Sequence, residues 1–414
     1  MLTRKNALTP VLFILLFLSG CVAVTAYEWS KQIPNDFYPD FTALPNGNFL
    51  LSMRKFSRDY LISEYDQEGN LVKETEVDIG DSYIQHWLNN KQAIIESRKA
   101  PSTVSLFDIE LGELWSSSLL EAPNYPYSAH IDVFDNQLLA VRGDYGNEPE
   151  GSYKDSIGYY IVIYNTDGVQ LWTQLFPDLR INDVRQVDNT WYVAYTDSDD
   201  VLHLNSYDEN FQVIDSILLA EASGWVNFYE QGIKVYDPDE RISSFYDYDG
   251  SFVHQIEDSV VVGKNGDLFQ RASGNLQRKD WHGQLLWETP VSYPDGYNEY
   301  SFLMIGANGQ PYIQMARRRE TGYTLSGPIR TQQTYVYVFD LETGKQHTIK
   351  EPEGVSTQEC WNEYKCDHSV NKAGHVYQLG TYVTDDAVFT LNIYGYPMIY
   401  LESEYTALTR YNLN

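Results

Sequence analysis

The chain has 414 residues, 43% of them apolar, and a formal charge of −29 from 29 basic and 58 acidic side chains. That is enough chain for a large core, while so acidic a surface repels nucleic acid and anionic lipid and excludes them as general partners. The charge is spread along the sequence, as expected for solubility in a salty medium, and no long polar or Pro/Gly-rich linker interrupts residues 27–414, which read as one domain.

Residues 1–20 read as a secretory signal, with Arg4 and Lys5 ahead of the apolar run "ALTPVLFILLFL". The run is too short to span a bilayer and gives way to polar sequence. Ordinary cleavage after "VTA" (Val24 to Ala26) would release a soluble protein. The stretch "LSGC", however, resembles the lipobox of bacterial lipoproteins. That resemblance implies a lipidated Cys21, a tether over 21–26 and an acyl-anchored domain. Val22 stands where Asp usually signals retention at the inner membrane, so the resemblance implies the periplasmic face of the outer membrane.

The first strand candidate, "YEWSKQIP" from Tyr27, looks like the closing strand of a repeat whose earlier strands are missing. Downstream, tight turns recur with pivots at Gly69, Gly112, Gly168, Asn210, Gly250, Gly283 and Gly344, about 46 residues apart on average. That is the length of one four-stranded propeller blade. Alternating strands such as "YYIVIYN" run into Asp/Asn-Gly turns, whose positive backbone angles Gly and Asn tolerate, and Trp115, Trp172 or Trp287 follows to pack between sheets. A second family of turns precedes each of these, at Pro45, Asn89, Asp135, Asp188, Glu230, Lys264, Ala307 and Lys372. The last has no complete partner hairpin, because "ALTRYNLN" (Ala407 to Asn414) resembles a third strand. The expectation is an all-β, eight-bladed β-propeller in which the N-terminal strand closes the C-terminal blade, leaving no open sheet edge. The 34 tyrosines suit a chain made almost wholly of strands.

Three connections are long: Gly143 to Ser156, Arg317 to Gln332 and Thr384 to Tyr405. Loops on a rigid scaffold are where binding resides. Cys360 and Cys366 in "CWNEYKC" are close and even in number, so in an oxidising compartment they read as a small disulfide loop. Metal-protease, phosphate-loop and serine-hydrolase motifs are absent. "TDSDDV" (Thr196 to Val201) reads as a solvated turn before a weak calcium site.

The turns from Asp108 to Trp115 and from Asp340 to Gly344 resemble the repeats of quinoprotein-type eight-bladed propellers, a group that includes the outer-membrane lipoprotein of the β-barrel assembly machinery. The vicinal cysteines and calcium ligands of the dehydrogenase members are missing, so no quinone or other cofactor is expected, and no metal. The resemblance implies a binding or protein-interaction scaffold. A second resemblance, of "ALPNGNFLLSM" with "ISEYDQEGNLV", is to periplasmic arylsulfotransferases, which use a histidine. Counting back from the first turn of each blade, His130 and His368 share one offset with Asp183, and His86 falls within about a residue of it. Such histidines serve either as nucleophile or acid/base, or as channel-lining groups bonded to backbone and water. Near the close of the second strand stand Arg54, Arg98, Arg142, Arg271 and Arg317, with Arg318 beside the last. Guanidinium forks there either recognise an anionic small molecule or a partner's carboxylates, or neutralise acidic neighbours. The expected partners are therefore an envelope protein or an anionic small molecule, with the membrane met through the lipid.

Overall fold

The computed structural model describes residues 24–25, 27–33, 37–44, 46–54, 59–80, 82–97, 103–118, 126–134, 138–146, 156–177, 179–220, 224–291, 299–306, 308–324, 327–350, 354–357, 375–394 and 405–413. Every regular element among them is a strand, and the fold is an all-β β-propeller. Successive strands of each sheet, called A to D in chain order, form a four-stranded meander in seven blades. These cover 37–78, 82–118, 126–177, 180–220, 225–257, 261–290 and 375–412, the last completed by Tyr27–Ile33.

The expected count of eight such blades is thereby corrected to seven. Residues 299–350 belong to a six-stranded sheet, in which Val24–Thr25 pairs parallel with Gln346–Lys350 and Gly354–Thr357 adds to Gly327–Phe339. Its B and C strands, Pro311–Thr324 and Gly327–Phe339, run for 14 and 13 residues. So long a hairpin offers backbone edge that a blade of ordinary length lacks, and extra strands satisfy it. The opening strand does lie where the sequence places it. Tyr27–Ile33 pairs antiparallel with Tyr405–Asn412, from Tyr27 opposite Tyr411 to Ile33 opposite Thr406.

The C-to-D turns repeat one geometry because one side chain builds it. The Asp66, Asn165, Asp208 and Asp280 carboxylate or amide oxygens each accept the backbone N–H four residues on, at 2.7–2.8 Å. The fourth residue of each turn then takes a positive φ, as Gly69 (79°), Gly168 (78°) and Gly283 (82°) do. One expected pivot is displaced: in 208–212 the left-handed residue is Phe211, at φ 58°, and not Asn210.

Two compact units emerge, residues 36–288 and the described residues up to 33 together with those from 289 onward. In the first, each pair of consecutive blades encloses its own apolar cluster. Ile94, Val104 and Leu106 meet Tyr160, Val162 and Tyr164; Ile161 and Ile163 meet Val184, Trp191 and Val193. Trp115 shows how tryptophan joins blades: its indole N–H donates to the Thr166 carbonyl at 2.8 Å, and its ring lies against Gly168, where a Cβ would stand 2.5 Å from it. In the second unit, Val336, Val338 and Ile349 pack with Val383, Val388 and Tyr411.

Candidate functional site

The A strands carry the residues expected at the site, and bulges set their register. In Ser82–Trp87 the bulge falls between Ile84 and His86; in Arg180–Val187 it falls between Ile181 and Asp183. The extra residue in each case is an amide side chain that reaches the B strand: Gln85 donates to Glu96 at 2.6 Å and Asn182 to the Thr196 hydroxyl at 2.8 Å. His86 and Asp183 each follow their bulge directly, so two different blades present them in the same local setting. The His86 side chain is exposed, yet enough chain surrounds the ring for burial to lower its pKa, while the Asp132 carboxylate of the following blade pulls it upward. His130 stands on the A strand Pro126–Phe134 directly opposite Arg142 of the B strand Leu138–Gly146. His368 lies outside the described residues.

Asp183 is a joint between blades. One carboxylate oxygen accepts the Val184 N–H at 2.9 Å, and the other accepts the Phe228 N–H of the next blade at 3.0 Å. The neighbouring Tyr229 phenol is pushed up to about 12 by burial, with Asp183 adding to the shift and Arg185 opposing it. The Tyr248 hydroxyl donates to the Tyr229 carbonyl, and its pKa is also raised, chiefly by burial. Each oxygen of this carboxylate thus accepts a backbone donor, which is a positioning geometry. Arg185, Tyr229 and Tyr248 had no repeat signal to mark them.

The arginines lie toward the B-to-C ends of their strands. Arg54 ends Phe49–Arg54, opposite Phe37, and its guanidinium sits 4.2 Å over the Tyr83 ring of the next blade. Arg271 stands opposite Leu276, beside the B-to-C turn of blade 261–290. In the other unit Arg317 is opposite Glu299 and Arg318 opposite Gln332. Arg98, Cys21, Cys360 and Cys366 lie outside the described residues. The stretch from Arg317 to Gln332, read from sequence as a loop, is mostly paired strand: the register runs on from Arg318 opposite Gln332 to Thr324 opposite Gly327. This arm carries Arg319 and Arg330 as well. Of the other two long connections, 147–155 and 395–404 are outside the described residues, while Ser156–Asn165 and Ala387–Tyr394 are regular strands.

Asp197 confirms the turn at 196–201. One oxygen accepts the Asp199 and Val201 N–H groups and the other lies 2.7 Å from His203 Nε2, which together hold its carboxyl below the usual range. Among the described residues no group of three or more His, Cys, Asp or Glu is arranged to hold a metal ion.

No known protein family matches the chain, and no curated protein does. Similar solved structures include a protein of unknown function from Bacteroides caccae, at 13% identity over 63% of this chain and 94% of that one, with a TM-score of 0.32. The β-propeller domain of Cps50 (Swd1) from Myceliophteria thermophila is 13% identical over 78% of this chain and 99% of its own, with a TM-score of 0.39. The Dos1 propeller is 10% identical over 95% of this chain and 96% of its own, with a TM-score of 0.42.

Proposed function

We propose that this chain is an interaction scaffold of the cell envelope, tethered to the periplasmic face of the outer membrane through Cys21 and docking a protein partner with the B-to-C end of its sheets. The observation that carries the reading is the arm formed by Pro311–Thr324 and Gly327–Phe339. No other described strand exceeds 10 residues, and this hairpin continues past the last pairing of its A strand at Glu299. A paired hairpin, edged along Ile329–Gln332 by Gly354–Thr357, fixes the placing of whatever it carries, and it carries Arg317, Arg318, Arg319 and Arg330 on a molecule of net charge −29. A concentrated cationic element on an anionic body steers acidic surfaces toward itself and rejects misplaced ones by repulsion. The signal over 1–20 and the "LSGC" stretch support the anchor.

The test is cross-linking and affinity purification of the tagged full-length protein from its own membranes, beside a variant carrying Arg142→Ala, Arg317→Ala and Arg318→Ala. A stoichiometric envelope protein should accompany the parent and be lost from the variant. Recovery of the parent alone, or retention of the partner by the variant, would overturn this reading.

A further inference from the structure

A cavity of about 430 Å³ opens between blades 126–177 and 180–220, at the end where the A-to-B and C-to-D turns lie. Its apolar surface comes from Leu171, Trp191 and Phe211, and its polar surface from Gln186, Asn189, Glu209 and Asn210. The volume lies in the range of small-molecule sites.

The turn that lines this cavity differs from three of its counterparts. In three other blades a glycine at the left-handed position lets the preceding blade cover the turn: Trp115 lies over Gly168, Ile217 over Gly250 and His254 over Gly283. At 211 the side chain is phenylalanine. Its ring stacks flat on Trp172, at 5.0 Å and 4°, and holds that indole off the turn. The cost is a bulky residue at φ 58°, which is a genuine outlier. Across the cavity, Asp188 and Asn189 of the A-to-B turn are left-handed too, at 48° and 65°. That pair is what the two-residue hairpin turn between Val187 and Thr190 requires, so the strained residue at the cavity is Phe211.

The polar lining is uncommitted. Among the described residues, the side chains of Gln186, Asn189, Glu209 and Asn210 make no hydrogen bond or ion pair within the chain, whereas Asp208 uses its Oδ1 to fix the turn that presents two of them. Three amides each donate and accept, and one carboxylate accepts twice. Beside them stands a half-buried phenyl ring. No cationic group lines the cavity, which disfavours an anion, and the lining is too polar for a lipid chain. Vicinal hydroxyls over an apolar ring face satisfy all of these groups together. We infer that the cavity binds a pyranose ring of a neutral glycan, with Glu209, Asn210 and Asn189 bonding its hydroxyls and Phe211 meeting its C–H face. This site is separate from the arginine arm and does not depend on the scaffold reading.

Trp191 lines the cavity and Trp172 stacks on Phe211, so both report on it by fluorescence. The full-length protein would be titrated with glucose, galactose, mannose, N-acetylglucosamine, cellobiose, maltose and chitobiose at millimolar concentrations. At least one should give a saturable change, weakened roughly tenfold by Glu209→Gln and by Asn210→Ala, since each removes a hydrogen bond. Both substitutions are on an exposed turn and leave the fold intact. Phe211→Gly should abolish the response by letting Trp172 settle over the turn. No response to any of these sugars, or a response unchanged in both turn variants, would overturn the inference. So would binding of a primary amine such as butylamine through Glu209 with no sugar bound, because the carboxylate would then be reading a cation.

Discussion

Lys234 lies in the B strand Gly232–Asp237, 7% exposed, and its ammonium donates to the Val260 carbonyl at 2.5 Å. Burial pulls its pKa down to about 8. The unfolded chain holds that proton to about pH 10.4. Between the two values the unfolded state binds one proton more, so stability rises with pH across this window, and the burial penalty is fully present below it. Lys234→Met is expected to be more stable than the parent near neutrality, by on the order of 1 kcal/mol once the stranded carbonyl is counted. The gap should shrink as pH climbs through 8 toward 10. Urea unfolding of both proteins along that series measures it, and a gap that ignores pH would show the amine to be solvated. Single residues also mark the limit of reading from sequence. Gly69 and Gly168 announced their turns because almost nothing else tolerates their φ at low cost. Phe211 announced nothing, since a bulky side chain in that region is paid for by tertiary stacking on Trp172, which no local pattern encodes. His86 and Asp183 were placed near one another in register by counting from the turns, but their shared relation to a bulge depends on the ladder.

At the scale of elements, blade 375–412 takes its D strand from Tyr27–Ile33, the opposite end of the described chain. That strand pairs on one side only, and its ladder donors alternate along its length. Replacing both Ser30 and Lys31 by proline therefore removes at least one N–H that the sheet uses, whichever parity holds. The double variant is expected to lose roughly 3 kcal/mol of stability, and amide exchange should quicken first in Tyr405–Asn412. Unaltered exchange there would mean that the two ends do not pair in solution. This closure was legible because the strand's grammar matched the D strands elsewhere. The six-stranded sheet was not. Val24–Thr25 is too short to carry a periodic signal, and the arginine run 317–319 reads as a loop because three successive charges hide any alternation of polar and apolar residues.

Across the whole molecule, acidic groups outnumber basic ones by two to one, 58 against 29. The exposed ion pairs do little to offset this. Lys73 and Lys91 both reach Glu110, at 2.6 and 3.0 Å, with 41–48% of each side chain exposed, and Arg241 meets Asp258 at 2.8 Å in a similarly open setting. Exposed pairs of this kind contribute little and weaken in salt. Repulsion among the surplus carboxylates is also screened by salt, but it falls more on the compact state, where the charges are crowded, than on the expanded chain. The screening length drops from about 30 Å at 0.01 M salt to about 8 Å at 0.15 M, so repulsion between neighbouring blades is largely removed over that interval. The urea midpoint is therefore expected to rise as sodium chloride is added across this range. At such low concentrations, general salting effects on apolar burial are small, so a rise reports charge screening. A flat or falling midpoint would mean that favourable pairs outweigh the surplus, and that the acidic residues are arranged around cations and not merely distributed for solubility.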